Sequence, residues 1–316
     1  MSKMPRYFLE FVAFSCALMC VRVLPLSFTE WLAHRAGDLW YLCGRRRRLT
    51  ARTNIRRAGI ADDDREVERI ARASFRHFML VLLETFKSTF MLTPQMWRER
   101  TTVDIPQDVQ QVLDDSQQGL ILASAHLGNW EVAAHAVSQM KPVTGITRVM
   151  NNPFVERLIQ KYKPRDGFTL TPKNDANNSR LINVLKRGEI LAVMVDQSAG
   201  RRGMMVDFFD HPASTHTSAA LLHLVTGAPL CFGYCTRAGP MSFHVTATPL
   251  IRVKPTGDKQ RDVRFILEQL NRHIEAAIRK APEQYNWAHR RWREKTPISS
   301  HQPSTDSAVS RTPDAP

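Results

Sequence analysis

The chain has 316 residues with 43% apolar and 23% charged types, ordinary globular values that exclude collagen-like, coiled-coil and wholly disordered classes. Against 30 Asp and Glu stand 44 Lys and Arg, and the net charge of +14 calls for an anionic partner, nucleic acid or a negatively charged membrane. Of five cysteines, Cys16 and Cys20 sit in an apolar N-terminal segment and Cys231/Cys235 lack companions at zinc-finger spacing, which implies a reduced, cytosol-facing setting without a structural metal.

The first 60 residues hold eleven basic and three acidic groups, a net +8 and more than half of the total. Within them the stretch Tyr7 to Phe28 is apolar except for Glu10 and Arg22, and Pro25 ends any helix there. Its uninterrupted part, Phe11 to Val21, is shorter than the roughly 20 residues that cross a hydrocarbon core. The whole stretch is long enough if Glu10 and Arg22 snorkel to the interfaces. No small-residue cleavage site follows it. Residues 1–28 therefore read as a membrane anchor, spanning or in-plane, or else as a buried helix of a soluble protein. The run Arg45 to Arg48 fits a juxtamembrane patch on anionic lipid. It also admits nucleic-acid phosphates or a plain solvated run.

Asp62 to Asp64 is a helix-start cluster, and helical composition continues to Leu92. Val67, Ile70, Ala71, Ser74, Phe75 and Phe78 make its first half amphipathic. Its second half is apolar all round except at Glu84 and Lys87, so it is buried or lies on lipid. Strands and helices then alternate. Gly119–Ala125 is a buried strand, Trp130–Met140 a helix, Val143–Met150 a strand and Pro153–Tyr162 a helix. Residues 179–188 form a helix closed by Gly188, 189–196 a strand, and 218–227 a helix closed by Gly227. Strands over 228–236 and 242–250 and a helix over 262–280 complete the pattern. It predicts an α/β fold over residues 29–296, a mixed, largely parallel sheet flanked by helices. The Ser-, Pro- and Thr-rich residues 297–316 are a disordered tail.

P-loop, Rossmann, serine-elbow and zincin motifs are absent. The segment Ser124-Ala-His-Leu-Gly-Asn-Trp-Glu131 joins a buried strand to a helix, where open α/β sheets bind ligands. Gly128 allows a turn through which His126 folds back toward Glu131, and a carboxylate on one imidazole nitrogen makes the other a general base. The alternative is a capping histidine with a glutamate favoured by the helix dipole. Arg148 and Asp196 read equally as strand-end and turn residues. In Gln284 to Lys295, aromatic residues interleave with arginines, which suits nucleic acid or a membrane interface with phosphorylated head groups.

The block HLGNWE resembles the H-x4-[DE] motif of the lysophospholipid acyltransferase-like superfamily, and more narrowly the lipid A biosynthesis acyltransferases, lauroyl and myristoyl transferases. The likeness extends over about residues 5–295 through Arg52–Arg57, TRVMNNP, Asp196-Gln197, VDFFDHPASTHTSAALLHLVTGAPL and QYNWAHRRW. It implies His126 as general base with Glu131 as partner, and Arg148 and Asp196 near a substrate head group. It further implies a membrane-bound O-acyltransferase on the cytoplasmic face of the bacterial inner membrane, without metal or cofactor. The donor would be an acyl carrier protein or coenzyme A thioester, and the acceptor a hydroxyl of a lipid A precursor or related glycolipid; nucleic acid would not be a partner. Other acceptors, an ornithine lipid or a lysophospholipid, stay open, and a non-catalytic basic binding protein is the rival class. Backbone N–H groups near Gly128 are candidate oxyanion donors. Two departures fall where substrate contacts are expected: Phe208-Phe209 is followed by Asp210-His211 where the family shows FFG, and Ser198 to Gly203 is basic and glycine-rich.

Overall fold

A computed structural model describes residues 4–91, 93–162 and 167–292; the expected tail, residues 297–316, lies outside them, as does Leu92. Four helices open the chain: α1 (Met4–Val23), α2 (Leu26–Cys43), α3 (Arg45–Arg57) and α4 (Asp64–Met91). Pro25, in extended conformation, separates α1 from α2, so residue 28 falls in the first turn of α2. In α4 the amphipathic half buries Val67, Ile70, Ala71 and Phe75, and the apolar half buries Leu80 and Val81 while Leu82 is exposed. Its two charges are internal. Glu84 accepts from Arg237 Nε at 2.7 Å, and Lys87 Nζ donates to Val21 O at 2.9 Å and Leu24 O at 2.5 Å, closing the orphan carbonyls of α1.

The same device recurs at α2, where Arg48 donates to the carbonyls of Tyr41 and Leu42. Arg47, though exposed, reaches Ala288 O at 3.0 Å, so two of the four consecutive arginines bond backbone carbonyls, and Arg45 and Arg46 are exposed.

After α5 (Pro94–Arg100), β1 (Thr101–Asp104) and α6 (Gln107–Asp114), the alternation begins with β2 (Leu120–Ser124) and α7 (Trp130–Ser138). It continues through β3 (Val143–Thr147), α8 (Pro153–Tyr162), β4 (Phe168–Pro172), α9 (Asn178–Lys186) and β5 (Ile190–Met194). A hairpin of β6 (Met204–Phe208) and β7 (His211–Thr215) precedes α10 (Ser218–Thr226), β8 (Leu230–Gly239), β9 (Ser242–Ala247) and α11 (Lys259–Lys280). Seven strands form one sheet in the order β1-β9-β8-β2-β5-β3-β4. Only the β8–β9 pair within it is antiparallel, so the sheet is mixed and largely parallel, as the alternation predicts.

Two expectations change. Much of the segment after α11 turns inward: Tyr285 and Trp287 are core residues, Arg291 is 2% exposed, and Asn54 of α3 donates to Trp287 O and His289 O, while Arg290 is exposed and Arg293 and Lys295 lie outside the described residues. For Tyr285, Trp287 and Arg291, apolar packing of the rings and hydrogen bonds from the guanidinium to Ser214 O and Thr215 Oγ1 take the place of the expected head-group or nucleic-acid contact. The Phe208-Phe209-Asp210-His211 departure is the β6–β7 turn. Phe209 and Asp210 take φ of +50° and +59°, Phe209 is buried, and neither lines the cavity described below.

Candidate active site

The carboxyl edge of the sheet gathers the expected residues. His126 follows β2, Arg148 follows β3, and Asp196 lies beyond β5, the neighbour of β2. Between β2 and α7 the chain reverses at Gly128, whose φ is +62° and whose missing Cβ would stand 1.8 Å from Cys235 O. Only glycine fits there. Asn129 N–H donates to Cys235 O at 2.7 Å, and its side chain caps Val132 N–H at 3.1 Å. Gly128 N–H donates to Gln284 O at 3.0 Å. That N–H is spent, so it is not the oxyanion donor that the strand-to-helix turn suggested.

The carboxylate on His126 is Asp196. Its Oδ1 is 2.9 Å from Nδ1, and Oδ2 accepts the His126 backbone N–H at 3.0 Å. Nε2 is left toward Gln197, whose amide nitrogen lies 3.4 Å away. The imidazole edge packs on Trp130 with centroids 4.9 Å apart. Glu131 lies in the wall of the same cavity and acts on His126 through its charge. Burial alone would lower the His126 pKa, but the charge and hydrogen bond of Asp196, with the charge of Glu131, raise it above the ordinary value. Burial likewise opposes ionisation of Asp196, yet His126 and then Arg291 hold it below the usual carboxylate range.

Asp196 is 3% exposed and stands behind the imidazole, not at a cavity mouth. Tyr285 and Arg291 flank it. Arg291 is fixed by hydrogen bonds to Ser214 O at 2.7 Å and Thr215 Oγ1 at 2.8 Å, and its guanidinium lies over the Phe208 ring. Neither residue was singled out for the site from sequence. The signal was present in the closing block, whose tyrosine and arginine read as surface groups until the fold turned them inward.

From His126 and Arg148 an apolar cavity of about 260 Å³ runs between α6, α7 and the sheet. Its lining reaches Leu120, Phe168 and Cys231 at the strand starts, so it follows the strands for roughly 20 Å at about 3.3 Å per residue. Gly145 and Gly233 face it from within strands. A Cβ at either would press on Leu170 or Leu122, so these glycines keep the space between sheet and helices open. Cys231 in this wall is no nucleophile: burial, then the charge of Asp108, push its thiol up to about 12. Among the described residues no three His, Cys, Asp or Glu side chains gather to hold a metal ion.

A histidine oriented by a buried aspartate at the polar end of an apolar cavity fits an enzyme that acts on an acyl chain. The chain belongs to the bacterial lipid A biosynthesis acyltransferase family, whose description matches residues 1–294. It is 24% identical over 294 residues to the lipid A biosynthesis palmitoleoyltransferase of Escherichia coli K12, covering 92% of each chain. The lauroyltransferase of the same organism is 24% identical over 295 residues, again with 92% of each covered. A phosphatidylinositol mannoside acyltransferase of Mycolicibacterium smegmatis shares 25% identity over 170 residues, 52% of this chain and 55% of that one. A 1-acyl-sn-glycerophosphate acyltransferase structure from Thermotoga maritima superposes with a TM-score of 0.36 at 11% identity, covering 78% of this chain and 96% of that one. The protein is an acyltransferase that moves an acyl group from a donor to a lipid.

Proposed function

We propose that this protein is a membrane-bound O-acyltransferase of the bacterial inner membrane's cytoplasmic face. It transfers a fatty acyl group from an acyl carrier protein thioester to a hydroxyl of a lipid A precursor or related glycolipid. The observation that carries the reading is the His126–Asp196 contact at the head of the apolar cavity. Asp196 on Nδ1 fixes the tautomer that puts the lone pair on Nε2, where the acceptor hydroxyl replaces the long 3.4 Å contact from the Gln197 amide. The acyl chain lies in the cavity with its thioester carbonyl beside His126.

Nε2 takes the proton of the acceptor hydroxyl as its oxygen attacks the carbonyl carbon. The tetrahedral oxyanion collapses, the C–S bond breaks, and the imidazolium returns the proton to the departing thiolate. The first N–H groups of α7, those of Trp130 and Glu131, are oxyanion donors, because Gly128, Asn129, Val132 and Ala133 N–H already have acceptors. Glu131 adds negative charge that favours the imidazolium, and Arg148 at the rim grips an acceptor phosphate.

Membrane insertion follows from exposed apolar side chains. Phe8, Val12, Met19 and Val23 form a stripe on α1, and Phe28, Trp31, Leu39 and Leu42 form another on α2. The acidic carrier protein is drawn to the basic surface.

The test is purified protein in phosphatidylethanolamine/phosphatidylglycerol vesicles with acyl carrier protein thioester and a lipid A precursor. Mass spectrometry should find the precursor heavier by one acyl ester. No ester on that acceptor, with acylation of an ornithine lipid or lysophospholipid instead, overturns the acceptor assignment.

A further inference from the structure

The loop from Thr147 to Asn152 carries Arg148 at the cavity rim, then the exposed Val149 and Met150, and ends at the buried Asn152. The carboxamide of Asn152 works in two directions. Its Oδ1 accepts from Phe154 N–H at 3.1 Å and Val155 N–H at 3.3 Å, capping α8. Its Nδ2 donates to Tyr7 O at 2.9 Å and to Glu10 Oε2 at 3.0 Å, both on α1. Phe154 continues the contact, packing its ring against Phe8 and Phe11. The far end of α1 is held by Lys87. Within α1 itself only Leu18 and Val21 are buried, and Phe14 sets its ring edge-to-face with Phe86 of α4 at 5.5 Å, so the Asn152 contact is the polar tie at the N-terminal end of the helix.

We infer that Asn152 is a positioning residue, through which α1 holds the Arg148 loop at the cavity mouth and makes acceptor binding depend on α1 being seated. The inference rests on the reading of Arg148 as the acceptor-side contact. Four residue steps separate Arg148 from Asn152, a tether of at most about 14 Å, so a displaced α1 pulls directly on the arginine. A helix lying in lipid thereby sets the geometry of a site that draws its acceptor from lipid. The Nδ2 bonds carry this coupling and the Oδ1 bonds do not, and chemistry can separate them.

Asn152→Asp keeps an oxygen for the α8 cap but sets a carboxylate against Tyr7 O and Glu10. Asn152→Ser keeps a capping hydroxyl and drops the donors without adding charge. In the vesicle assay, Asn152→Asp should raise the acceptor KM about tenfold, the loss of a charge-assisted contact, with kcat at saturating acceptor and the donor KM unchanged. Asn152→Ser should move the acceptor KM in the same direction by less. Adding Glu10→Gln to Asn152→Asp restores the contact with donor and acceptor exchanged, and should recover most of the KM. If Arg148→Lys raises the acceptor KM while both Asn152 variants leave it unchanged, the latch is overturned and the Arg148 role stands. If Arg148→Lys has no effect, the underlying reading falls. A joint fall in kcat, donor affinity and Tm that Glu10→Gln does not repair makes Asn152 a plain helix cap, and also overturns the latch.

Discussion

His126 binds its proton more tightly than a free imidazole because a buried carboxylate accepts from its Nδ1. As a base it works neutral, so the acid limb of kcat/KM should lie above the ordinary histidine value of about 6.5. Asp196→Asn removes the charge while keeping the shape. It should move that limb to lower pH and lower the rate, and His126→Ala should remove about 10²–10⁴ of the rate. A pH–rate profile with an unmoved limb in Asp196→Asn counts against the pair. The same shift makes stability pH-dependent. With its pKa raised on folding, His126 contributes fully below about pH 6.5 and loses that contribution as pH rises through the folded value. Asp196, held low, contributes above about pH 3.9 and loses it as pH falls through its folded value. Arg148→Lys keeps the charge and loses the two-pronged geometry. The acceptor KM should rise about ten- to hundredfold, from about 1.5–3 kcal/mol per hydrogen bond to a charged group, with kcat little changed at saturating lipid. His126, Glu131, Arg148 and Asp196 were all legible as residue types in motifs. Which carboxylate meets which histidine was not, because Glu131 is five residues from His126 in sequence while Asp196 is brought in by the pairing of β2 with β5.

Among elements, the periodic ones were readable and the short ones were hidden. The helix Pro153–Tyr162 and the strand cores of β2 and β5 follow directly from their apolar patterns. Strand β4 escaped because it is only five residues long at the sheet edge and buries only Thr171, although Phe168 and Leu170 alternate with threonines. Strand β1, four residues with only Thr101 buried, escaped for the same reason. The turn at Gly128 was legible as a turn, but not as a place where strand β8 comes within contact of the backbone. Gly128→Ala combines a left-handed φ, worth about 1–2 kcal/mol, with a clash no side chain can relieve. It should lower Tm by several degrees and cut kcat to below a hundredth as His126 shifts; a variant with unchanged Tm and rate refutes the tight approach. Glu84 and Lys87, odd polar residues in an apolar helix, are explained by the partners that burial gave them. Lys87→Met should release the last turn of α1, and protease should then cut near Leu24 to Leu26 in the variant before the wild type.

For the molecule as a whole, charge and apolar surface make separable claims about membrane attachment. The net +14 attracts anionic lipid, and that attraction is screened: at about 1 M salt the Debye length is near 3 Å. Apolar insertion is not screened, so the intact protein should stay in the membrane pellet after a 1 M salt wash; its full release there refutes insertion. On the proposed attachment, two exposed apolar stripes are the surfaces that would insert. Helix α1 carries one exposed stripe, and α2 carries a second one beyond Pro25, with Arg35 over the Trp31 ring at 5.7 Å, an arrangement suited to an interface. Composition alone placed the anchor in residues 1–28, since the stripe on α2 emerges only when its other face is packed on α4. Removing residues 1–24 together with Lys87→Met, which spares the molecule a buried unpaired ammonium, should therefore weaken attachment without making it purely salt-sensitive. Adding Trp31→Glu and Leu39→Glu to that truncated protein should leave only the basic surface, and salt should then strip it completely. Complete stripping of the truncated protein before α2 is altered assigns all insertion to α1. Retention after both changes means that some other surface reaches the bilayer.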